Sequence, residues 1–322
     1  MFLSLLGGLA GLIIGADLLV RGAVGLAQRL GVSSLVIGLT LVGLGTSVPE
    51  TATALSAVLG GAPGIAVGNI VGANIANCLL IVGVAAAVAP IAVPADFMRR
   101  EGAALMATTI SFVVWGSFFA FDWVAGLVML ALLSLYLWSV SRRSSVSDDV
   151  GEETTADLVQ REGWRYAFAR WFGAYPVASA LSLMLGGILL IVFSGNAFVD
   201  GAVMLARSLG VSDAVIGVSV VAIGTTSPEL ITSVVAALRG RPGLALGNAI
   251  GSCFFNILGI GGLIGLVEPI SIPRSVVVFD FPMLAAATAL MLFLAWTGRT
   301  VSRREGIALV VCYCTYILTA TL

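Results

Sequence analysis

Long apolar stretches, broken by short polar or glycine- and proline-rich turns, set the rhythm of this chain. A run of about 20 apolar residues covers the hydrocarbon core of a bilayer, so the pattern predicts membrane-crossing helices. Spans fall at about 2–28, 32–58, 66–89, 101–120 and 122–141, then at about 175–206, 211–238, 244–267, 276–296 and 305–321. The expected architecture is an all-α polytopic membrane protein with about ten transmembrane helices. The first span starts at Phe2, outruns the apolar core of a signal peptide and lacks a small-residue cleavage site after it. It reads as a retained helix.

One long polar interval, Arg142 to Phe172, contains Asp148, Asp149, Glu152 and Glu153. It divides the chain into a first half (1–141), a linker (142–174) and a second half (175–322). The linker ends in Trp164-Arg-Tyr-Ala-Phe-Ala-Arg-Trp-Phe172, a mixture of aromatic and basic residues suited to a membrane surface.

The halves repeat. Shifted by 179 positions, the segment from about Gly31 to Gly83 aligns with its second copy without gaps. Gly45-Thr-Ser-Val-Pro-Glu50 matches Gly224-Thr-Thr-Ser-Pro-Glu229, Pro63-Gly64 matches Pro242-Gly243, Gly68-Asn69 matches Gly247-Asn248, and Asn77 matches Asn256. Five spans per half is an odd number, so the halves must insert upside down relative to each other. Charge agrees. All sixteen basic residues are arginines, and fourteen of them fall on one side of the predicted topology, with only Arg207 and Arg274 opposite. The turn Arg239-Gly-Arg-Pro-Gly243 carries arginines where its counterpart Gly60-Gly-Ala-Pro-Gly64 has none. By the positive-inside rule the linker is cytoplasmic and both termini lie outside a cell membrane.

Composition narrows the function. Fifty-nine per cent of the residues are hydrophobic and 10% charged, too apolar for a chain that must face water on all sides. Histidine is absent, which removes His-based triads and His-ligated zinc. The four cysteines (Cys78, Cys253, Cys312, Cys314) lie inside apolar segments and read as small core residues. A net charge of −1 argues against a nucleic-acid partner. No enzyme activity and no cofactor are expected, and a monomer would suffice.

Glu50 and Glu229 interrupt apolar stretches long enough to span, with no basic residue near either. A charge there costs on the order of 3 kcal/mol or more, which makes both functional candidates. Each follows a proline, which cannot donate to the carbonyl four residues back, so Pro49 frees Gly45 and Pro228 frees Gly224. The distortion should also loosen the carbonyls of Thr46 and Thr225. Unwound backbone at this depth is tolerated only where it lines a cavity or is buried in protein. Each motif therefore offers a carboxylate, free carbonyls and the hydroxyls of Thr46 and Ser47, or of Thr225 and Thr226. All are oxygens, the donors of a hard cation. Asn248, Ser252 and Asn256 add a polar stripe at helical spacing, and Asn69 and Asn77 do the same in the first copy, where Ala73 interrupts it. Asn77 and Asn256 are expected to reach the site; Asn69 and Asn248 fit either the site or a role as interhelical glue. Two carboxylates and two carbonyls supply about six oxygens, within the range Ca²⁺ takes and poorly matched to Mg²⁺. The same carboxylates could neutralise two Na⁺ or two protons instead, and that competition is the basis of exchange.

At these residues the chain resembles the calcium/cation antiporter superfamily, in its sodium/calcium exchanger branch. The resemblance rests on the paired Gly-Thr-Ser/Thr-x-Pro-Glu and Gly-Asn-x-x-Gly-x-x-x-x-Asn motifs, and the ten-span layout extends it over the whole chain. It implies a central Ca²⁺ held by Glu50, Glu229 and the carbonyls of Thr46 and Thr225. Flanking Na⁺ sites would draw on Ser47, Thr226, Ser252 and the carbonyls of Gly43 and Ala222. It implies access switched by sliding of the first and sixth spans, with three Na⁺ exchanged for one Ca²⁺. Two positions depart from the pattern: Ala73 replaces a site serine, and Asn256 stands where many relatives carry the aspartate linked to K⁺ co-transport. The expectation is a K⁺-independent Na⁺/Ca²⁺ antiporter. A proton-coupled exchanger on the same fold is the alternative, with a passive channel or an intramembrane acid protease further behind.

Overall fold

The computed structural model describes residues 2–142, 176–209 and 222–321. The expected linker 142–174, apart from Arg142, and the start of the expected span 211–238 lie outside the described residues.

The described chain is almost wholly helical. In the first half, α1 (Phe2–Leu30) is followed by α2 (Ser34–Thr46), α3 (Val48–Leu59), α4 (Pro63–Val88), α5 (Ala103–Phe118) and α6 (Trp123–Arg142). In the second, α7 (Pro176–Ser208) precedes α8 (Ala222–Thr225), α9 (Ser227–Leu238), α10 (Pro242–Val267), α11 (Phe281–Thr297) and α12 (Arg303–Thr321). Helices α2 and α3 form one span bent by 41°, and α8 and α9 repeat the break. Counting each broken pair once gives ten crossings, five per half. Among the described residues, six helices are long and apolar enough to span alone, and the bent pair passes the same test jointly.

Local chemistry sets the boundaries identically in the two copies. Helix α3 ends with Ala62 N–H donating to Ala57 C=O (2.8 Å) and Gly61 N–H to Val58 C=O (2.9 Å). Helix α9 ends with Arg241 N–H to Ala236 C=O (2.9 Å) and Gly240 N–H to Ala237 C=O (3.1 Å). This termination needs a left-handed residue, supplied by Gly61 (φ +75°) and Gly240 (φ +70°). Pro63 and Pro242 then open α4 and α10, where a missing N–H costs nothing. At the far end, Ser302 and Glu305 cap α12 reciprocally, Ser302 N–H donating to Glu305 Oε2 at 2.7 Å.

Helices α4 and α10 are the centre of the molecule. In their most apolar windows 78% and 83% of residues are buried, against 28–39% in the other four unbroken spans that pass the same test. Helices α1 and α7 instead pack along each other at the periphery. Their axes approach so closely that a Cβ on Gly15 would stand 3.0 Å from the Gly187 carbonyl oxygen.

The halves are inverted, and the loops show it. Strand β1 (Ile91–Ala92), after the third span, pairs antiparallel with β2 (Thr300–Val301), after the ninth. On the other face Phe121, after the fourth span, exchanges backbone hydrogen bonds of 2.9 and 2.8 Å with Ile270, after the eighth. A loop of one half thus meets the loop one place later or earlier in the other, as opposite insertion of five-span units requires.

A candidate cation site between two broken helices

The helix breaks fall at Ser47 (φ −82°, ψ 7°) and Thr226 (φ −87°, ψ 0°), the same backbone conformation in both copies. Each break lies two residues ahead of the proline. Pro49 and Pro228 sit in the first turn of the next helix, where an absent N–H leaves no bond unmade. That turn carries Glu50 in α3 and Glu229 in α9, both at positively polarised N-termini. One expectation about freed carbonyls needs amending. The Gly224 carbonyl accepts the Ser227 hydroxyl at 2.7 Å, so that oxygen is already engaged.

Both glutamates are 1% exposed. Neither oxygen of Glu50 has a hydrogen-bond partner, nor does Glu229 Oε2. Glu229 Oε1 accepts only a long bond from Ser47 Oγ at 3.4 Å, and that bond crosses from one copy to the other. The two side chains lie close enough for their charges to interact. Two carboxylates out of water, near each other and without an arginine, are stable only when protons or cations fill the gap.

Other oxygens close in around them. Thr46 Oγ1 lies 3.1 Å from Val42 C=O, 3.4 Å from Gly43 C=O, 3.1 Å from Asn248 Oδ1 and 3.5 Å from Ser252 Oγ. One hydroxyl proton serves one of these acceptors at a time, so the cluster is rich in oxygen and poor in donors. Ser252 Oγ lies 3.4 Å from Gly43 C=O, and a Cβ on Gly43 would be 2.9 Å from Ser252 N. Only glycine allows α10 to come this near.

Asn77 and Asn256 stand in helical turns widened to the π form, Asn77–Ile81 and Phe255–Ile260. Such turns interrupt a regular helix and often mark functional positions. The α4 turn packs against α9, which carries Glu229, and the α10 turn packs against α3, which carries Glu50. Both asparagines are 1% exposed, each with an unpartnered Oδ1.

Most of the expected residues are therefore brought together. Glu50, Glu229, Thr46, Ser47, Ser252 and the Gly43 carbonyl form one contiguous cluster, with Asn77 and Asn256 on the helices crossing it. Thr226 occupies the break of the second copy and is buried, Thr225 ends α8 just before it, and Ala222 begins α8. Sequence reasoning left Asn248 open between the site and interhelical glue. Its Nδ2 reaches Glu229 C=O (3.4 Å) and Ser233 Oγ (3.1 Å) while its Oδ1 meets Thr46, so it is glue and site together. Asn69 makes the matching bond to Glu50 C=O at 3.3 Å. The i, i+4 stripe with Ser252 and Asn256 was the available signal.

The profile of the family described as sodium/calcium exchanger protein matches residues 1–142 and 179–322. The chain belongs to that family. Among exchanger relatives, the sodium/calcium exchanger MaX1 of Methanosarcina acetivorans is 34% identical over 340 aligned positions, covering 98% of this chain and 97% of the relative. The putative antiporter CaxA of Alkalimonas amylolytica is also 34% identical, covering 96% and 95%. A solved structure of the sodium-calcium exchanger NCX_Mj, soaked with zero Na⁺ and Ca²⁺, superposes with a TM-score of 0.82 at 30% identity, covering 98% of this chain and 97% of that one. The protein is thus a multi-pass membrane protein of an exchanger family, with the two-repeat helical fold. For an exchanger the chemistry of the cluster is apt: two acidic groups and neutral oxygens can hold cations.

Proposed function

We propose that this chain is an antiporter exchanging Na⁺ for Ca²⁺ by alternating access, independently of K⁺. One observation carries the reading: two fully buried glutamates, one from each inverted half, lie beside one cluster of oxygens with three of their four carboxylate oxygens unpartnered. Two negative charges balance one Ca²⁺, and bidentate carboxylates with the carbonyls of Thr46 and Thr225 complete roughly six ligands. Na⁺ would occupy the flanks, using Ser47, Thr226, Ser252, the carbonyls of Gly43 and Ala222, and the amide oxygens of Asn77 and Asn256. Because both ions need the same carboxylates, occupancy by one excludes the other. Ala73 leaves one flank without a hydroxyl, so the Na⁺ count per Ca²⁺ is set by this chain's own residues. The neutral Asn256 removes a carboxylate that a further monovalent cation would need.

Access would switch by movement of the peripheral α1–α7 pair against the central helices. In this reading the linker is cytoplasmic, both termini lie outside, and one chain is the working unit. The sequence similarity to exchangers and the oxygen-only cluster support it. The test is purified protein in sealed liposomes. With pH clamped, an outward Na⁺ gradient should drive Ca²⁺ uptake, and adding K⁺ to either side should leave the rate unchanged. Uptake that follows a pH gradient with Na⁺ absent would assign the coupling ion as H⁺, and Ca²⁺ flux with no counter-ion would make the protein a channel.

A further inference from the structure

Behind the oxygen cluster lies a second group of side chains that cation exchange does not use. Cys78, in the widened turn of α4, and Cys253, on α10, bring their sulfurs to 4.0 Å across the centre of the molecule. Both thiols are free and buried, at 1% and 2% exposure. They are not repeat equivalents, since Asn74 and Ile257 occupy the matching positions. Each follows a residue of the cation site directly in the chain: Cys78 follows Asn77, and Cys253 follows Ser252. The Asn77 side chain, whose Oδ1 has no hydrogen-bond partner, lies against the Cys253 thiol. Thr288 Oγ1 of α11 stands 3.8 Å from the Cys78 sulfur.

A sulfur separation of 4.0 Å is twice a disulfide bond, but it matches a bridged metal. With metal–sulfur bonds of about 2.3 Å, as for Zn²⁺, to about 2.5 Å, as for the larger Cd²⁺, it fixes a sulfur–metal–sulfur angle of roughly 105–120°. Such angles suit a three- or four-coordinate site, and Thr288 Oγ1, 3.8 Å from the Cys78 sulfur, is the oxygen placed beside the pair. Among the described residues no three of Asp, Glu and Cys converge, so the site would rest on the thiol pair and one neutral oxygen. We propose that Cys78 and Cys253 form a dithiol site for soft, thiophilic cations of the Cd²⁺ or Cu⁺ type, entered through the oxygen cluster in front of it. Sulfur selects such ions, whereas Ca²⁺ and Na⁺ prefer the oxygens. On binding, each thiol gives its proton to water as its sulfur–metal bond forms, with no change of oxidation state. The bound ion ties α4 to α10 one layer behind Ser252 and Asn77.

Cadmium bound to thiolate absorbs in the ultraviolet by sulfur-to-metal charge transfer, and cadmium on oxygen ligands does not. Cys312 and Cys314 are exposed and would confuse the signal, so the protein to titrate carries Cys312→Ser and Cys314→Ser. Purified in detergent, it should develop the charge-transfer band with a single saturation at one Cd²⁺ per chain. Cys78→Ser and Cys253→Ser should each remove at least about nine-tenths of the band while keeping a cooperative melting transition. No band in the parent protein, or a band that survives either substitution, overturns the proposal. The readout is independent of transport, and the parent titration alone decides the matter should a serine variant fail to fold.

Discussion

The two copies of the repeat share a backbone and differ in the side chains hung upon it. Ser47 and Thr226 break their helices with the same dihedrals, Gly61 and Gly240 end the following helices with the same pair of bonds, and Asn69 and Asn248 each donate to the carbonyl of their own copy's glutamate, Glu50 and Glu229. The second copy then adds groups the first lacks. Ser252 replaces Ala73, Ser233 replaces Ala54, Ser227 replaces Val48 and Arg239 replaces Gly60. Three of the four additions are hydroxyls buried at the site, while the fourth pairs with Asp17 of α1. Backbone geometry is thus what both halves need in order to expose carbonyls and aim a glutamate. Ligand chemistry is what has diverged, and it makes the site lopsided.

The comparison breaks soonest at the glutamates, where the copies are the same. Glu50→Gln and Glu229→Gln should each cut Ca²⁺ uptake at least about 100-fold, the scale of a charged ligand worth roughly 3 kcal/mol. Liposome flux would measure it, and a large inequality between the two variants would mean that only one half holds the ion. The asparagines come next. Asn248→Ala strands Glu229 C=O and Ser233, and should cost about 1–3 kcal/mol in thermal unfolding. Asn69→Ala, at a half-buried position with one described bond, should cost less, and an equal loss would erase the asymmetry. At the hydroxyls, Ser252→Ala should weaken Na⁺ inhibition of Ca²⁺ binding several-fold, consistent with about 1 kcal/mol per neutral oxygen, and Ala73→Ser should strengthen it by a similar factor. Unchanged Na⁺ dependence in Ala73→Ser would remove that position from any Na⁺ site. Smallest of all, Arg239→Gly makes the second turn resemble the first. It removes the link to Asp17, whose other partner Arg21 stays at 2.7 Å, so melting should fall by no more than about 1 kcal/mol, as for an exposed pair.

What could be read from the chain followed the physics of each feature. Crossing segments were legible because lipid demands long apolar runs, and the glutamates because nothing else in those runs carries charge. The inverted layout could be read from the odd number of spans, the repeat register and the one-sided arginines. The break was anticipated from Pro49 and Pro228, just ahead of each proline, and it falls there, at Ser47 and Thr226, because a proline prefers to begin a helix rather than disturb its middle. The widened turns at Asn77 and Phe255 left no mark in composition, since their backbone shift depends on packing against α9 and α3. Asn248 could be placed on the right helix face but not assigned to the Glu229 carbonyl. The Ser227 bond to Gly224 depends on a rotamer, and no spacing rule encodes that.

The small strand pair β1–β2 and the Phe121–Ile270 bridge tether the helices on both sides of the bilayer. Helices α4–α6 and α10–α12 are consequently riveted top and bottom into a frame that resists shear, while among the described residues α1 and α7 carry no such fastening. Deuterium should therefore enter the amides around Ile91, Val301 and Ile270 slowly and those of α1 and α7 sooner, drawing a mechanical seam along the border between the two groups of helices.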